Sequence, residues 1–161
     1  QYREIKLDDK IYKLFTNDLA NSRKVIYCTD NCGEIVLDKL LIKYLTLYYP
    51  QLEIQVIVRG EEIGNDASIE DAENISMQEV AAFEGNGTTI AGTSLHLLSD
   101  ELKKKFYKAD MIISKGQGNY ETLSGSGLNI YYLFLCKCNH LQKIFLAKFL
   151  DPIFSMECER R

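Results

Sequence analysis

Apolar and polar positions along this chain change period several times, and each change marks an element. Over residues 8–19, Ile11, Tyr12, Leu14, Phe15 and Leu19 recur at helical spacing. This predicts a helix that packs against a sheet. Residues 24–29 form a continuous apolar run, the signature of a buried strand. Residues 33–49 are apolar nearly all round and end at Pro50, as a helix does. The acids Glu34 and Asp38 precede Lys39 and Lys43, the order a helix dipole prefers. Residues 53–58 predict a second strand. Residues 66–72 and 76–83 predict short helices, and 85–92 a turn, a short strand and a loop. A helix over 100–107 follows Ser99, a suitable N-cap. Residues 109–114 and 129–136 predict a third and fourth strand. Residues 140–154 are apolar at helical spacing and include Pro152.

Strands alternating with helices predict an α/β protein: a three-layer α/β/α, doubly wound, mainly parallel, Rossmann-like sheet. Right-handed crossovers then line the strands' carboxyl ends along one edge, where open sheets of this type bind ligands. No internal repeat or low-complexity segment breaks the pattern, so residues 1–161 read as one core.

Composition narrows the partners. Hydrophobic residues make up 46% and charged residues 26%, a globular balance. The net charge of −4 and scattered lysines argue against nucleic acid, which calls for a basic face. No apolar run reaches the ~18 residues of a membrane span, and no signal-peptide pattern opens the chain. Five cysteines (Cys28, Cys32, Cys136, Cys138, Cys158) show no CxxC pair, which favours a reducing, cytoplasmic setting over a disulfide framework. Gln1 in place of methionine suggests a trimmed product.

Candidate chemistry gathers at predicted strand ends. The first strand stops at Thr29-Asp30-Asn31-Cys32-Gly33-Glu34, where a helix begins. Asp30, Asn31 and Asp66 offer hard oxygen ligands for a divalent cation. Lys115, between a strand and Gly116, is a compact cation suited to phosphate. Singly, each has an ordinary reading: Asp30, Asn31 and Asp66 as helix caps, Lys115 as a solvated lysine. Their shared edge makes the combination a phosphoryl-handling set. The glycines of 85–92 lack dinucleotide-fingerprint spacing. His96 and His140 stand alone, Ser124-Gly125-Ser126-Gly127 reads as a loop, and Cys32 lacks a histidine partner.

Three blocks carry a family resemblance: residues 29–38; Val58-Arg59-Gly60 with Asn65-Asp66-Ala67-Ser68 and Glu70-Asp71-Ala72; and residues 109–123, which contain Lys115-Gly116-Gln117-Gly118-Asn119. Together, over about residues 20–138, they resemble the damage-control phosphatases, also known as domain of unknown function 89. Lys137-Cys138 after the fourth strand resembles the family's usual ending. The resemblance implies a metal-dependent phosphatase acting on small phosphometabolites, either sugar phosphates or damaged cofactor-precursor phosphates. It implies that Asp30, Asn31 and Asp66 hold the metal (magnesium, manganese, cobalt or nickel) and that Lys115 contacts phosphate. Asn119 and Glu121 are implied in the same pocket, with Glu34 and Arg59 as supporting or substrate residues. Family members carry a helical lobe before this core, so the chain reads as the C-terminal part of a longer one.

The expected reaction is therefore hydrolysis of a phosphomonoester by a metal-activated water. Asp30 or Asp66 orients or deprotonates that water, while Lys115 and the N–H groups of residues 31–33 stabilise charge. Two alternatives differ in class. One is a phosphate- or metabolite-binding module without turnover, including a fragment inactive by itself. The other is a carboxyl methyltransferase, disfavoured by the lack of an adenosyl-binding glycine loop. The oligomeric state is left open.

Overall fold

Asp8 starts the first helix, α1 (Asp9–Asn21), by accepting the backbone N–H groups of Lys10 and Ile11. The structure, a computed structural model, describes residues 7–157. After α1 come β1 (Lys24–Cys28), α2 (Ile35–Tyr48), β2 (Glu53–Val58), α3 (Ile69–Asn74) and β3 (Ala82–Gly85). The chain continues through α4 (Asp100–Lys108), β4 (Met111–Lys115), α5 (Gln117–Leu123), β5 (Ile130–Leu135), α6 (Asn139–Ile144) and β6 (Pro152–Met156). Ser99 caps α4 through the Leu102 N–H, as its position predicts.

The strands form one sheet in the order β3-β2-β1-β4-β5-β6. All neighbours are parallel except β5 and β6. Along β1 the side chains alternate between two cores. Val25 and Tyr27 join a cluster with Leu19 of α1, Ile35 and Ile42 of α2 and Ala72 of α3. Ile26 and Cys28 join a second with Phe106 of α4, Leu123 of α5 and Leu141 of α6. Apolar side chains thus leave water on both faces, at roughly 25 cal/mol per Å², giving the three layers and the doubly wound fold the pattern predicts. The chain order reverses between β1 and β4. This is the switch point at which such sheets form a crevice.

Three segments differ from expectation. Residues 76–83, expected as a helix, keep only a 3-10 turn at Met77–Glu79, and Ala82–Gly85 instead pairs with β2. A free edge on β2 outweighs the local helical preference. Of the segment 85–92, only Gly85 is in a strand, as the end of β3, and no strand follows in 86–92. The tail expected as a helix is a short α6 and then β6, antiparallel to β5. Phe154 and Met156 meet one core and Ile153 the other, a strand alternation hidden among neighbouring apolar residues. Pro152, lacking an N–H, starts this edge strand, where the missing donor is tolerated. The glycine-flanked segment after β4, to which the pattern assigns no element, is a helix, α5. Gly118 lies inside it, where a Cβ would come within 3.3 Å of the Gly92 backbone nitrogen.

Helix α2 is unlike an ordinary core helix. It buries Ile35, Asp38, Ile42 and Leu45, while Leu37, Leu40, Tyr44 and Leu47 are exposed. No helix among the described residues is long and apolar enough to cross a membrane. Cys28, Cys32, Cys136 and Cys138 are free thiols, and Cys158 lies outside the described residues.

Candidate active site

The turn after β1 and the loop after β2 are stitched together by main-chain bonds. The Thr29 N–H donates to the Ile57 carbonyl at 3.0 Å, Ala67 N–H to Asp30 at 2.7 Å, and Cys32 N–H to Asn65 at 2.8 Å. Asn31 and Asp66 form an isolated antiparallel bridge, and Arg59 bridges Ser68. Ala67, fully buried, pins this loop to the sheet edge. Residues 36 positions apart thereby bring Asp30, Asn31 and Asp66 together beside the switch point.

Asp30 packs against Gly116, the residue between β4 and α5. A Cβ at Gly116 would overlap the Asp30 carboxyl, and its φ of +84° also favours glycine. The Asp30 carboxyl pKa is raised, first by burial and then by the Asp66 charge, with a smaller contribution from Glu34; Arg59 and Lys137 pull the other way. Asp66 gives one carboxylate oxygen to Arg59 Nε. Arg59 is 1% exposed and its Nη1 reaches Thr93 Oγ1 at 3.2 Å and Asn119 Oδ1 at 3.3 Å. The amide of Asn119, also buried, donates to the carbonyls of Thr29 at 2.8 Å and Lys115 at 2.7 Å. One asparagine therefore ties together the ends of β1 and β4 and the arginine that braces Asp66.

On the other face of the sheet lies the lysine. Lys115 Nζ donates at 2.9 Å to both Glu34 Oε2 and Asp38 Oδ1. Asp38 Oδ1 also accepts from the Tyr27 hydroxyl at 2.6 Å. Burial works against the Lys115 charge, but the charges and hydrogen bonds of Asp38 and Glu34 outweigh it and raise the ammonium pKa. Burial and the Asp38 charge also push the Tyr27 phenol well above its ordinary range, keeping it a neutral donor. Asp30, Glu34, Lys115, Gly116, Gln117 and Lys137 line a cleft of about 550 Å³, whose farther wall includes Leu133 and Phe154.

The structure thus brings Asp30, Asn31 and Asp66 to one place and sets Lys115 and Glu34 on the cleft beside Asp30. Arg59 and Asn119 sit behind the site as buried braces. Glu121 is exposed and does not itself line the cleft, but it accepts a hydrogen bond at 2.8 Å from Gln117, which does. One expectation needs correcting: the N–H groups of Cys32 and Gly33 are not open to an anion. They donate to the Asn65 carbonyl and to Asn31 Oδ1, and the next one, Glu34 N–H, donates to the Asn31 carbonyl. Sequence reasoning also missed Asp38, Tyr27 and Lys137. Lys137 follows a strand end, the same signal that singled out Lys115. Asp38 is the one acid within a largely apolar helix.

Two carboxylates and an amide are hard oxygen donors. Among the described residues no three His, Cys, Asp or Glu side chains converge, so an ion here would need the Asn31 amide as its third donor. Asn31 Oδ1 already accepts from Gly33 N–H at 2.7 Å but keeps a second lone pair. The electrostatics favour the fit. Burial and the Asp66 charge both oppose ionisation of Asp30, and a dication between them would offset both. The residues present fit a divalent ion.

A doubly wound sheet with a charged cleft at its switch point defines a Rossmann-like α/β protein with its site on the strand carboxyl ends. The chain belongs to the damage-control phosphatase ARMT1-like domain family, whose model matches residues 1–148. It is 38% identical over 141 residues to an uncharacterized protein of Methanocaldococcus jannaschii, covering 84% of this chain and 45% of that protein. It is 35% identical over 140 residues to a damage-control phosphatase of Pyrococcus horikoshii, covering 84% and 48%. The crystal structure of a DUF89 family protein from P. horikoshii superposes with a TM-score of 0.85 at 30% identity, over 97% of this chain and 54% of that one. The chain spans about half the length of the curated relatives it matches.

Proposed function

We propose that this chain forms the catalytic core of a metal-dependent phosphatase that hydrolyses small phosphorylated metabolites, with sugar phosphates and damaged cofactor-precursor phosphates as the substrate classes. The observation that carries this reading is the meeting of Asp30, Asn31 and Asp66 beside a cleft that also presents Lys115. Family membership and the names of the relatives from P. horikoshii and Archaeoglobus fulgidus support the phosphatase class. Asp30, Asn31 and Asp66 would hold the ion. Bound there, it supplies positive charge for a phosphoryl oxygen and an acidified water.

The protein's own groups divide the remaining work. Arg59 occupies one oxygen of Asp66 and leaves the other for the ion. Asp30, which lines the cleft, is placed to take the proton from attacking water. As the water oxygen bonds to phosphorus, the ester P–O bond breaks on the opposite side, the departing alkoxide takes a proton from solvent, and Asp30 later returns its proton to solvent. Lys115 neutralises charge on the phosphoryl oxygens. The apolar wall at Leu133 and Phe154 excludes water from one side of the cleft.

The test is phosphate release from a phosphometabolite panel with magnesium, manganese, cobalt or nickel beside chelator. Metal-dependent release that Asp30→Ala abolishes is the expected result. Binding of metal and phosphate by the folded chain with no release would favour a binding module instead.

A further inference from the structure

Lys115 has two carboxylate partners on one helix turn, and they differ in every respect but distance. The Asp38 side chain is 3% exposed and the Glu34 side chain 48%. Asp38 is further held by the hydroxyl of Tyr27, a side chain wholly buried in the core. Its second oxygen, Oδ2, is buried without a partner, so the compensation for its charge comes through Oδ1. Moving Asp38 would leave a buried charge uncompensated. Glu34 stands just before α2, meets Lys115 from the solvent side and lines the cleft, which Asp38 does not.

We infer that Asp38, locked by Tyr27, is the permanent anchor of Lys115, whereas Glu34 holds the place that a substrate phosphate takes, so that phosphate enters by anion exchange on Lys115. This rests on the phosphatase reading of the same cleft. An ammonium has three donors. One stays on Asp38, and the one now given to Glu34 turns to a phosphoryl oxygen. A phosphate dianion competes well with a single, half-exposed carboxylate for a charge-assisted bond. Glu34 then swings into water, which its exposure permits. Asp38 and Tyr27 act only through Lys115 and are positioning residues. Glu34 becomes a competitor of phosphate, not a ligand for it.

Isothermal titration with inorganic phosphate, with and without manganese, tests the exchange on the wild-type chain, Glu34→Gln, Asp38→Asn and Tyr27→Phe. Glu34→Gln should bind phosphate about two- to five-fold more tightly, the scale of one partly exposed ion pair, and should lower KM more than it changes kcat. Asp38→Asn should bind about tenfold more weakly, with partial recovery in Asp38→Glu. Tyr27→Phe should weaken binding by a smaller factor, and it decides the anchor if Asp38→Asn does not fold. Equal or weaker binding by Glu34→Gln overturns the exchange. Undiminished binding by Asp38→Asn, or by Tyr27→Phe in its place, overturns the anchor. A wild-type chain that binds phosphate through Lys115 yet hydrolyses nothing refutes the phosphatase reading and leaves the exchange standing. Turnover combined with unchanged binding by Glu34→Gln refutes the exchange alone. A wild-type chain without measurable phosphate affinity overturns both.

Discussion

At the amino ends of the strands, Arg23 pairs with Glu53 at 2.8 Å while their side chains remain 74% and 54% exposed. At the carboxyl ends, the side chains of Arg59 and Asp38 are only 1% and 3% exposed. Both ends have a hollow, about 310 Å³ at the amino side and about 550 Å³ at the carboxyl side. Both have an aspartate shifted by its surroundings, but in opposite directions. Asp110, just before β4, is held below the usual range by the backbone N–H groups of Lys24 and Arg23. Asp30, just beyond β1, is raised by burial and by Asp66. The amino end therefore meets its charges with donors and water, whereas the carboxyl end desolvates charges and sets two acids against each other. A hollow or a charged rim is common on any sheet. Burying charge against its own interest is not, and such perturbation gathers at functional sites.

Substitutions can break this contrast, beginning with the largest effect. Arg59→Ala removes a buried cation and strands Asp66, and should cost about 3–5 kcal/mol in chemical denaturation. Gly116→Ala drives a Cβ into the Asp30 carboxyl at φ +84°. It should cost about 1–3 kcal/mol and lower turnover by displacing Asp30. Asp30→Asn should do the reverse for stability. The raised pKa means the folded state binds this proton more tightly than the unfolded state, so stability is lost as pH rises through the folded value. The asparagine variant should then unfold at a higher temperature than wild type at neutral pH without added metal. The gap should close in acid, below both pKa values. Asp110→Asn should show a smaller effect of opposite sign: stability lost at neutral pH, with the difference from wild type vanishing as pH falls through the depressed value. Arg23→Ala should change stability by at most about 1 kcal/mol, since its pair with Glu53 is exposed. If Arg23→Ala and Arg59→Ala proved equally costly, the contrast between the two ends would fail.

The parts of this arrangement that sequence could reveal are those governed by position along a strand. Apolar runs locate β1, β2, β4 and β5, and the residues just beyond them include Asp30, Asn31 and Lys115. Asp66 depends on the loop that Ala67 pins back to the edge; its local signals are its place after a strand end, before a helix pattern and in the Asn65-Asp66-Ala67-Ser68 block. Asp38 was hidden by a sufficient ordinary reason, since an acid early in a helix suits the dipole. Only the phenol of Tyr27 and the ammonium of Lys115, brought in from two other elements, give its burial meaning. The helical preference of residues 80–83 likewise masked β3, whose existence depends on an edge 27 residues earlier in the chain. What sequence could not show was the order of burial among charges, because that depends on which strands become neighbours.

The most direct test is thermal unfolding of wild type and Asp30→Asn with and without manganese. An ion that binds only the folded state stabilises by about 2.7 kcal/mol at a hundredfold excess over its Kd. The account predicts that without metal Asp30→Asn unfolds at the higher temperature. It also predicts that manganese raises the wild-type midpoint and leaves the variant unmoved. An equal rise in both proteins would contradict it, because Asp30 would then hold no metal and its unfavourable burial would have no function.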